Sequence, residues 1–330
     1  MRPSSLLPGP ARTDPAMPGV ADSVLDLIGR TPVVRLGVLA RAVAPQVLVK
    51  LEGRNPGGSA KDRPALSMIR AAEAAGDLAP GATIVESTSG NTGVGLALVG
   101  RLTGHPVVLV HGPNMSAEKR ATAALYGAEL VEADWDAGPD DPDNPRAVAD
   151  RIAAERGAWR SHQYDNHANP SAHYRSTGPE IWEQTGGRVT HLVAGIGTGG
   201  TISGTGRFLK EASGGAVRVI GANPEGSTYG GGAPGEIRVE GVGTRWPRSH
   251  WPASFDAGVP DEVRSASDDV VFETVRRLAA EEALLLGPSS GLAVAVALEV
   301  AAGLTADDVV VVVSSDGGGN YLSEALGGPR

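Results

Sequence analysis

Apolar positions fall into two rhythms that alternate along the chain. Short runs of consecutive apolar, often β-branched residues read as buried strands: VLVKLE (47–52), TIVES (83–87), PVVLVHG (106–112), AELVEA (128–133), THLVAGIG (190–197), VRVIGANP (217–224) and VVVVVSSD (309–316). Helical patterns stand beside them, such as ALSMIRAAEAAG (65–76), TGVGLALVGRLTG (92–104) and SAEKRATAALYG (116–127). This alternation predicts parallel sheets with crossover helices. Six or seven such units exceed one small sheet, so two α/β domains are expected, each a mostly parallel sheet flanked by helices. The division expected is a smaller N-terminal domain over 46–150 and a larger, cofactor-binding one built from 21–45 and 151–330.

The remaining segments are polar and irregular. Residues 1–20 are rich in proline and small residues and read as a disordered leader without the apolar core of a signal peptide. DWDAGPDDPDNPR (134–146) reads as an acidic surface loop or boundary. The stretch 226–262 has no periodicity but gathers Tyr229, Trp246, Trp251 and Phe255, which points to a packed functional loop.

Composition narrows the function classes. Hydrophobic residues make up 41% of the 330, enough for a sizeable core, and the 46 glycines show no collagen-like period. The net charge of −9, with no basic block, argues against a nucleic-acid partner. With no cysteine there is no disulfide, no thiolate metal site and no cysteine nucleophile. The seven histidines show no metal-ligand spacing, so no metal is expected. No apolar run is long enough to span a bilayer, so no membrane partner is expected, and a cytoplasmic location is the reading adopted.

Four glycine-rich runs carry candidate chemistry. Lys61 lies in NPGGSAKDRPA (55–65), between a strand-like and a helix-like run. A lysine amine becomes more nucleophilic toward a carbonyl when desolvated, and Gly57 and Gly58 would let backbone approach a ligand. A solvated loop lysine is the plainer alternative. STSGNTG (87–93) turns into a helix and offers Thr88, Ser89, Asn91 and Thr92 with backbone N–H groups, a suitable seat for a carboxylate or phosphate. An ordinary helix cap needs fewer polar groups than this. AGIGTGGTISGTG (194–206) follows a strand, and the N–H groups of 197–201 suit a single phosphate better than a dinucleotide, because no acidic residue stands clearly after the next strand. GPSSG (287–291) opens an apolar helix, where Ser289 alone could be a cap.

These four runs, in this order, resemble the cysteine synthase / cystathionine β-synthase family of pyridoxal-phosphate enzymes, the two-domain fold type II. The resemblance spans LDLIGRTPVVRL (25–36) to GGGNYLS (317–323), with QYDNHANPSAHYRSTGPEIW (163–182) and VEGVG (239–243) adding to it. It implies pyridoxal 5′-phosphate as cofactor, with Lys61 forming the internal Schiff base. Asn91 would bond the ring hydroxyl; Gly197, Thr198, Gly199, Gly200 and Thr201 would hold the phosphate; Ser289 would face the pyridine nitrogen. Thr88, Ser89, Asn91 and Thr92 would bind the substrate carboxylate with help from Gln163, and Gly241 would lie near the substrate amine. The implied activity is β-replacement on serine or on O-acetyl- or O-phosphoserine through an aminoacrylate, giving cysteine or a related β-substituted alanine. A small nucleophile is the second substrate, and a homodimer is implied.

Two departures bear on the substrates. Ser87 stands where relatives often carry proline, as also in members that make a diaminopropionate precursor. SSDGGGNYLS (314–323) replaces the more usual PDGGERYLS, and Ser314, Ser315 and Asp316 are expected near the cofactor nitrogen. The alternatives are therefore a homocysteine acceptor, as in cystathionine β-synthase, or an amine acceptor. A serine/threonine dehydratase ranks lower because KDRPA follows the synthase pattern. A non-catalytic binding homologue is disfavoured by the intact Lys61, and a dehydrogenase built on GIGTGG would leave Lys61 unexplained.

Overall fold

The computed structural model describes residues 19–323, apart from 89, 114, 135, 136 and 138–140. Most of the leader and Ser89 lie outside the described residues. In chain order the elements are β1 (Val33–Arg35), β2 (Gln46–Leu51), α1 (Asp62–Ala75), β3 (Ile84–Ser87), α2 (Asn91–Thr103), β4 (Val107–His111), α3 (Ala117–Leu125), β5 (Glu129–Glu132), α4 (Pro145–Arg156) and β6 (Trp159–Arg160). Then come α5 (Ala168–Arg175), α6 (Thr177–Gln184), β7 (His191–Gly195), α7 (Gly200–Ala212), β8 (Arg218–Pro224), β9 (Glu262–Ala266), α8 (Asp268–Glu282), α9 (Pro288–Ala301) and β10 (Val309–Ser314).

The strands form two sheets, ordered β1-β2-β10-β7-β8-β9 and β5-β4-β3-β6. All pairings are parallel except β1 with β2. The sheet boundaries differ from the sequence expectation at both ends. β2 pairs with β10 in the six-stranded sheet, although 46–51 falls inside the expected small domain, and β6 pairs with β3 although 159–160 lies beyond it.

Each sheet is buried on both faces, which is why its strands read as continuous apolar runs. In β10, Val310 and Val312 join a core with Val271 and Leu278 of α8 and Leu292 and Val296 of α9. Val309, Val311 and Val313 point the other way, onto Ile181 of α6 and Ile202 and Leu209 of α7. The smaller sheet packs Ile84 and Leu109 against Met68, Ile69, Leu96 and Val99 of α1 and α2. Its other face sets Val85, Val108 and Val110 against Val148, Ala149 and Ile152 of α4.

Helix ends follow from local sequence. α4 starts with Asn144 accepting the Arg146 N–H at 3.0 Å and Pro145 in the first turn, where the missing donor costs nothing. α1 carries its apolar face at 65, 68, 69 and 72 and stops at Gly76, whose φ of 80° is left-handed.

α1 leaves the large sheet and enters the small one, and a charged cluster closes this seam. Arg63 donates to Glu52 from Nε at 2.6 Å and to both oxygens of Glu180 at 2.6 and 2.8 Å. Lys50 Nζ donates to Glu180 at 2.6 Å and to the Thr31 carbonyl at 2.7 Å. Burial alone would raise the Glu180 carboxyl, but Arg63 and Lys50 outweigh it and bring the group down to about 2.

Candidate active site

The candidate residues gather at the carboxyl ends of the strands, the usual ligand edge of parallel sheets. Lys61 stands directly before α1, and its segment is pinned to the end of β10. Ser59 bridges Asp316, the Ala60 N–H donates to the Ser315 carbonyl at 2.8 Å, and the Lys61 N–H donates to Ser59 Oγ at 3.1 Å. Burial lowers the Lys61 pKa, and the nearby carboxylates of Asp316 and Glu52 offset this only in part. A larger share of the amine is therefore neutral than in a solvated lysine, the form that attacks a carbonyl.

The run after β3 meets this segment through Asp316. Asn91 Nδ2 donates to Asp316 Oδ2 at 2.7 Å, and Asn320 Nδ2 donates to Asn91 Oδ1 at 3.3 Å. Thr92 Oγ1 donates to Gln163 Oε1 at 2.6 Å, so Gln163 joins the same loop although 71 positions separate the two. The Gln163 N–H is held by Glu86 Oε2 at 3.1 Å. Thr88 is buried, and its Oγ1 accepts from the Gly90 N–H at 3.2 Å.

The third run opens α7 at Gly200. Gly199 has φ of +81°, and a Cβ on Gly200 would lie 2.0 Å from Asn169 Oδ1. Asn169 Nδ2 donates to Thr198 Oγ1 at 3.1 Å and to the Gln163 carbonyl at 2.8 Å, which ties the third run to the second. Thr201 Oγ1 pairs with Nε2 of the fully buried His173 at 3.2 Å. Burial holds that imidazole well below its usual pKa, so it is neutral.

Gly241 and Ser289 close the ring of contacts. Gly241 has φ of +81°, and its carbonyl would lie 2.3 Å from a Cβ on Gly197, so the 239–243 turn lies over the third run. The Gly243 N–H donates to the Ile196 carbonyl at 2.7 Å. Ser289 is buried at the start of α9, and Gly287 packs on Asp316, whose Oδ1 would lie 2.1 Å from a Cβ there. Gly57 and Gly58 serve the protein itself: Gly57 donates to Asp62 at 2.5 Å, and Gly58 takes φ of +82°.

Two residues at this site carried no readable signal. Asn169 and His173 sit in NPSAHY as ordinary polar residues, and only the fold sets them behind 198–201. Asp316, expected near the cofactor nitrogen, accepts from Asn91 and from Tyr321, the latter at 2.6 Å. Burial raises its pKa.

A half-buried lysine of lowered pKa and a glycine loop opening a 13-residue helix suit an aldehyde that bears an anion. The N–H groups of that first helical turn have no partner within the helix. The residues therefore fit pyridoxal phosphate.

Fold and site together define a pyridoxal-phosphate-dependent enzyme, and residues 24–316 match the family model described as "Pyridoxal-phosphate dependent enzyme". The chain is 43% identical over 309 residues to cysteine synthase B of Pseudomonas aeruginosa, covering 93% of this chain and 98% of that one. It is also 43% identical to cysteine synthase B of Escherichia coli over 301 residues, 91% and 94% of the two chains. Among solved structures, O-ureido-L-serine synthase superposes with a TM-score of 0.86 at 38% identity, covering 93% and 95%. A hydrogen sulfide-producing enzyme from Fusobacterium nucleatum gives 0.85 at 33%, covering 92% and 98%. The chain belongs to the cysteine synthase family of fold type II pyridoxal-phosphate enzymes and is a β-substituting synthase.

Proposed function

We propose that this enzyme replaces the β-substituent of an O-activated serine, O-acetyl- or O-phosphoserine, and forms cysteine or a related β-substituted alanine. The carrying observation is that the Lys61 segment and Asn91 meet at Asp316, through the Ser59 bridge and the Asn91 hydrogen bond, while Gln163 joins the same 88–92 turn through Thr92. This arrangement supports one amine and one carboxylate seat working on the same small amino acid.

Pyridoxal phosphate, when bound, supplies an aldehyde for amine capture and an electron sink for charge developed at the α-carbon. Lys61 is the group that would hold it and then take and return the α-proton, because burial keeps its amine partly neutral. The N–H groups and hydroxyls of 197–201 would seat the phosphate, and Asn91 the ring hydroxyl. Thr88, Ser89, Thr92 and Gln163 would bind the substrate carboxylate, with Gly241 beside the amine. Ser289, a hydroxyl rather than a carboxylate, would leave the ring nitrogen unprotonated, which favours loss of the β-substituent over transamination.

A second reading, an acceptor other than sulfide, draws support from the likeness to O-ureido-L-serine synthase and from Ser87. A homodimer in the cytoplasm completes the proposal, supported by the family resemblance. The test is Lys61→Ala in cofactor-loaded protein, with cysteine formation from O-acetylserine and sulfide measured. Turnover should vanish, and retained turnover would overturn the assignment.

A further inference from the structure

Arg146 lies in the first turn of α4, the crossover from β5 to β6. A crossover helix in a parallel sheet starts at the strands' carboxyl ends, here the edge that carries 87–92 and Gln163. Its guanidinium lies over two rings, 4.6 Å from the centroid of Tyr164 and 4.4 Å from that of Trp246. Tyr164 directly follows Gln163, and Trp246 belongs to the irregular stretch 226–262.

That stretch connects the frame to the proposed phosphate seat. The Trp246 carbonyl accepts from Thr228 Oγ1, which also accepts from Trp251 Nε1 at 3.3 Å. Trp251 packs at a tilt against Tyr229, ring centroids 5.0 Å apart, and Tyr229 OH donates to the Gly197 carbonyl at 2.9 Å. Hydrogen bonds through Thr228 and Tyr229, together with ring contacts, thus link Gly197 to Arg146.

Contact with aromatic rings satisfies the face of a guanidinium but not its edge, which carries five N–H donors. Among the described residues no oxygen accepts from the Arg146 edge, whereas Arg151, Arg156 and Arg160 close by each have an acceptor. A planar cation lying over two rings, with no acceptor on its edge among the described residues, matches a carboxylate, which it can bind in bidentate fashion. On the proposed function the donor's own carboxylate already has a seat at 88–92.

We infer that Arg146, framed by Tyr164 and Trp246, recognises the acid group of the second substrate. The preferred acceptor is then an organic nucleophile bearing a carboxylate rather than sulfide alone. This inference rests on the β-replacement reading.

The experiment uses full-length, cofactor-loaded enzyme with saturating donor and compares 3-mercaptopropionate, its uncharged amide and sulfide as nucleophiles. Arg146→Gln should raise KM for the carboxylate thiol by roughly tenfold or more, the size of one lost charged hydrogen bond, and leave the amide and sulfide nearly unchanged. Arg146→Lys keeps a charge but loses the fork, and should show a smaller loss with the same selectivity. Equal losses for all three nucleophiles would make Arg146 a structural clamp and overturn the inference. So would an effect confined to O-phosphoserine as donor, which would assign the guanidinium to the leaving group. If the wild-type cofactor spectrum does not respond to any donor, the β-replacement reading fails first.

Discussion

Removing the Glu180 carboxylate tests the seam that holds the Lys61 segment. The side chain is 16% exposed and neutralises two almost fully buried cations, Lys50 and Arg63. Two independent routes give its contribution. Its carboxyl falls from 4.5 to about 2 on folding, which at about 1.4 kcal/mol per pH unit is about 3 kcal/mol. Breaking a buried ion pair from one side typically costs about 3–5 kcal/mol, because the partner charge is stranded. Glu180→Ala should therefore lower unfolding stability by about 3 kcal/mol or more in urea titrations at neutral pH with unchanged slope. Adding Lys50→Met should recover part of the loss, since one stranded cation disappears. The pH dependence carries the same sign: the folded pKa is depressed, so the contribution is complete above about pH 4.5 and drains away toward pH 2. A loss below about 1 kcal/mol for Glu180→Ala would refute the reasoning and rank this pair with solvated surface bridges.

Three further outcomes follow from the geometry. Asp62 is pushed up to about 7 by burial, despite accepting from Gly57, so its contribution to stability is complete below about pH 4 and about 4 kcal/mol of it is lost as pH rises to 7. Asp62→Asn should flatten that slope in denaturation at several pH values. Gly200→Ala drives a methyl against Asn169 and should weaken pyridoxal-phosphate binding while costing about 1–3 kcal/mol of stability, read by cofactor titration and melting. Asn169→Ala removes the bonds to Thr198 and to the Gln163 carbonyl together, and should raise the half-saturation values of cofactor and donor alike in titrations.

What the sequence displayed, and what it hid, divides by range. β10 was legible because five consecutive valines bury both faces. β1 and β6, with three and two residues, are too short for any period to show, and β9 (EVRSA) is an edge strand with polar positions. The shortness of β6 is why the boundary at 150 missed its pairing with β3, whereas the boundary at 46 missed because β2, though legible as a strand, finds its partner β10 at the far end of the chain. Lys61, Asn91, Thr198 and Ser289 stood out because each lies in a glycine-rich turn joining a strand to a helix. Asn169 and Arg146 did not, nor did the link from Asp316 to Asn91, because Thr198 lies 29 positions from Asn169, Asn91 lies 225 from Asp316, and the rings over Arg146 come from two separate loops. Arg146 in particular closes a run of aspartates and prolines that read as surface loop, and only folding brings Tyr164 and Trp246 to its guanidinium.

The most direct test of the central claim is the visible spectrum of the purified enzyme loaded with pyridoxal phosphate, recorded before and after O-acetylserine, O-phosphoserine and serine are added separately. The account predicts a yellow protein whose band shifts with at least one donor and returns when a nucleophile is supplied. A protein that stays colourless after incubation with the cofactor, or a band that no donor moves, would contradict it.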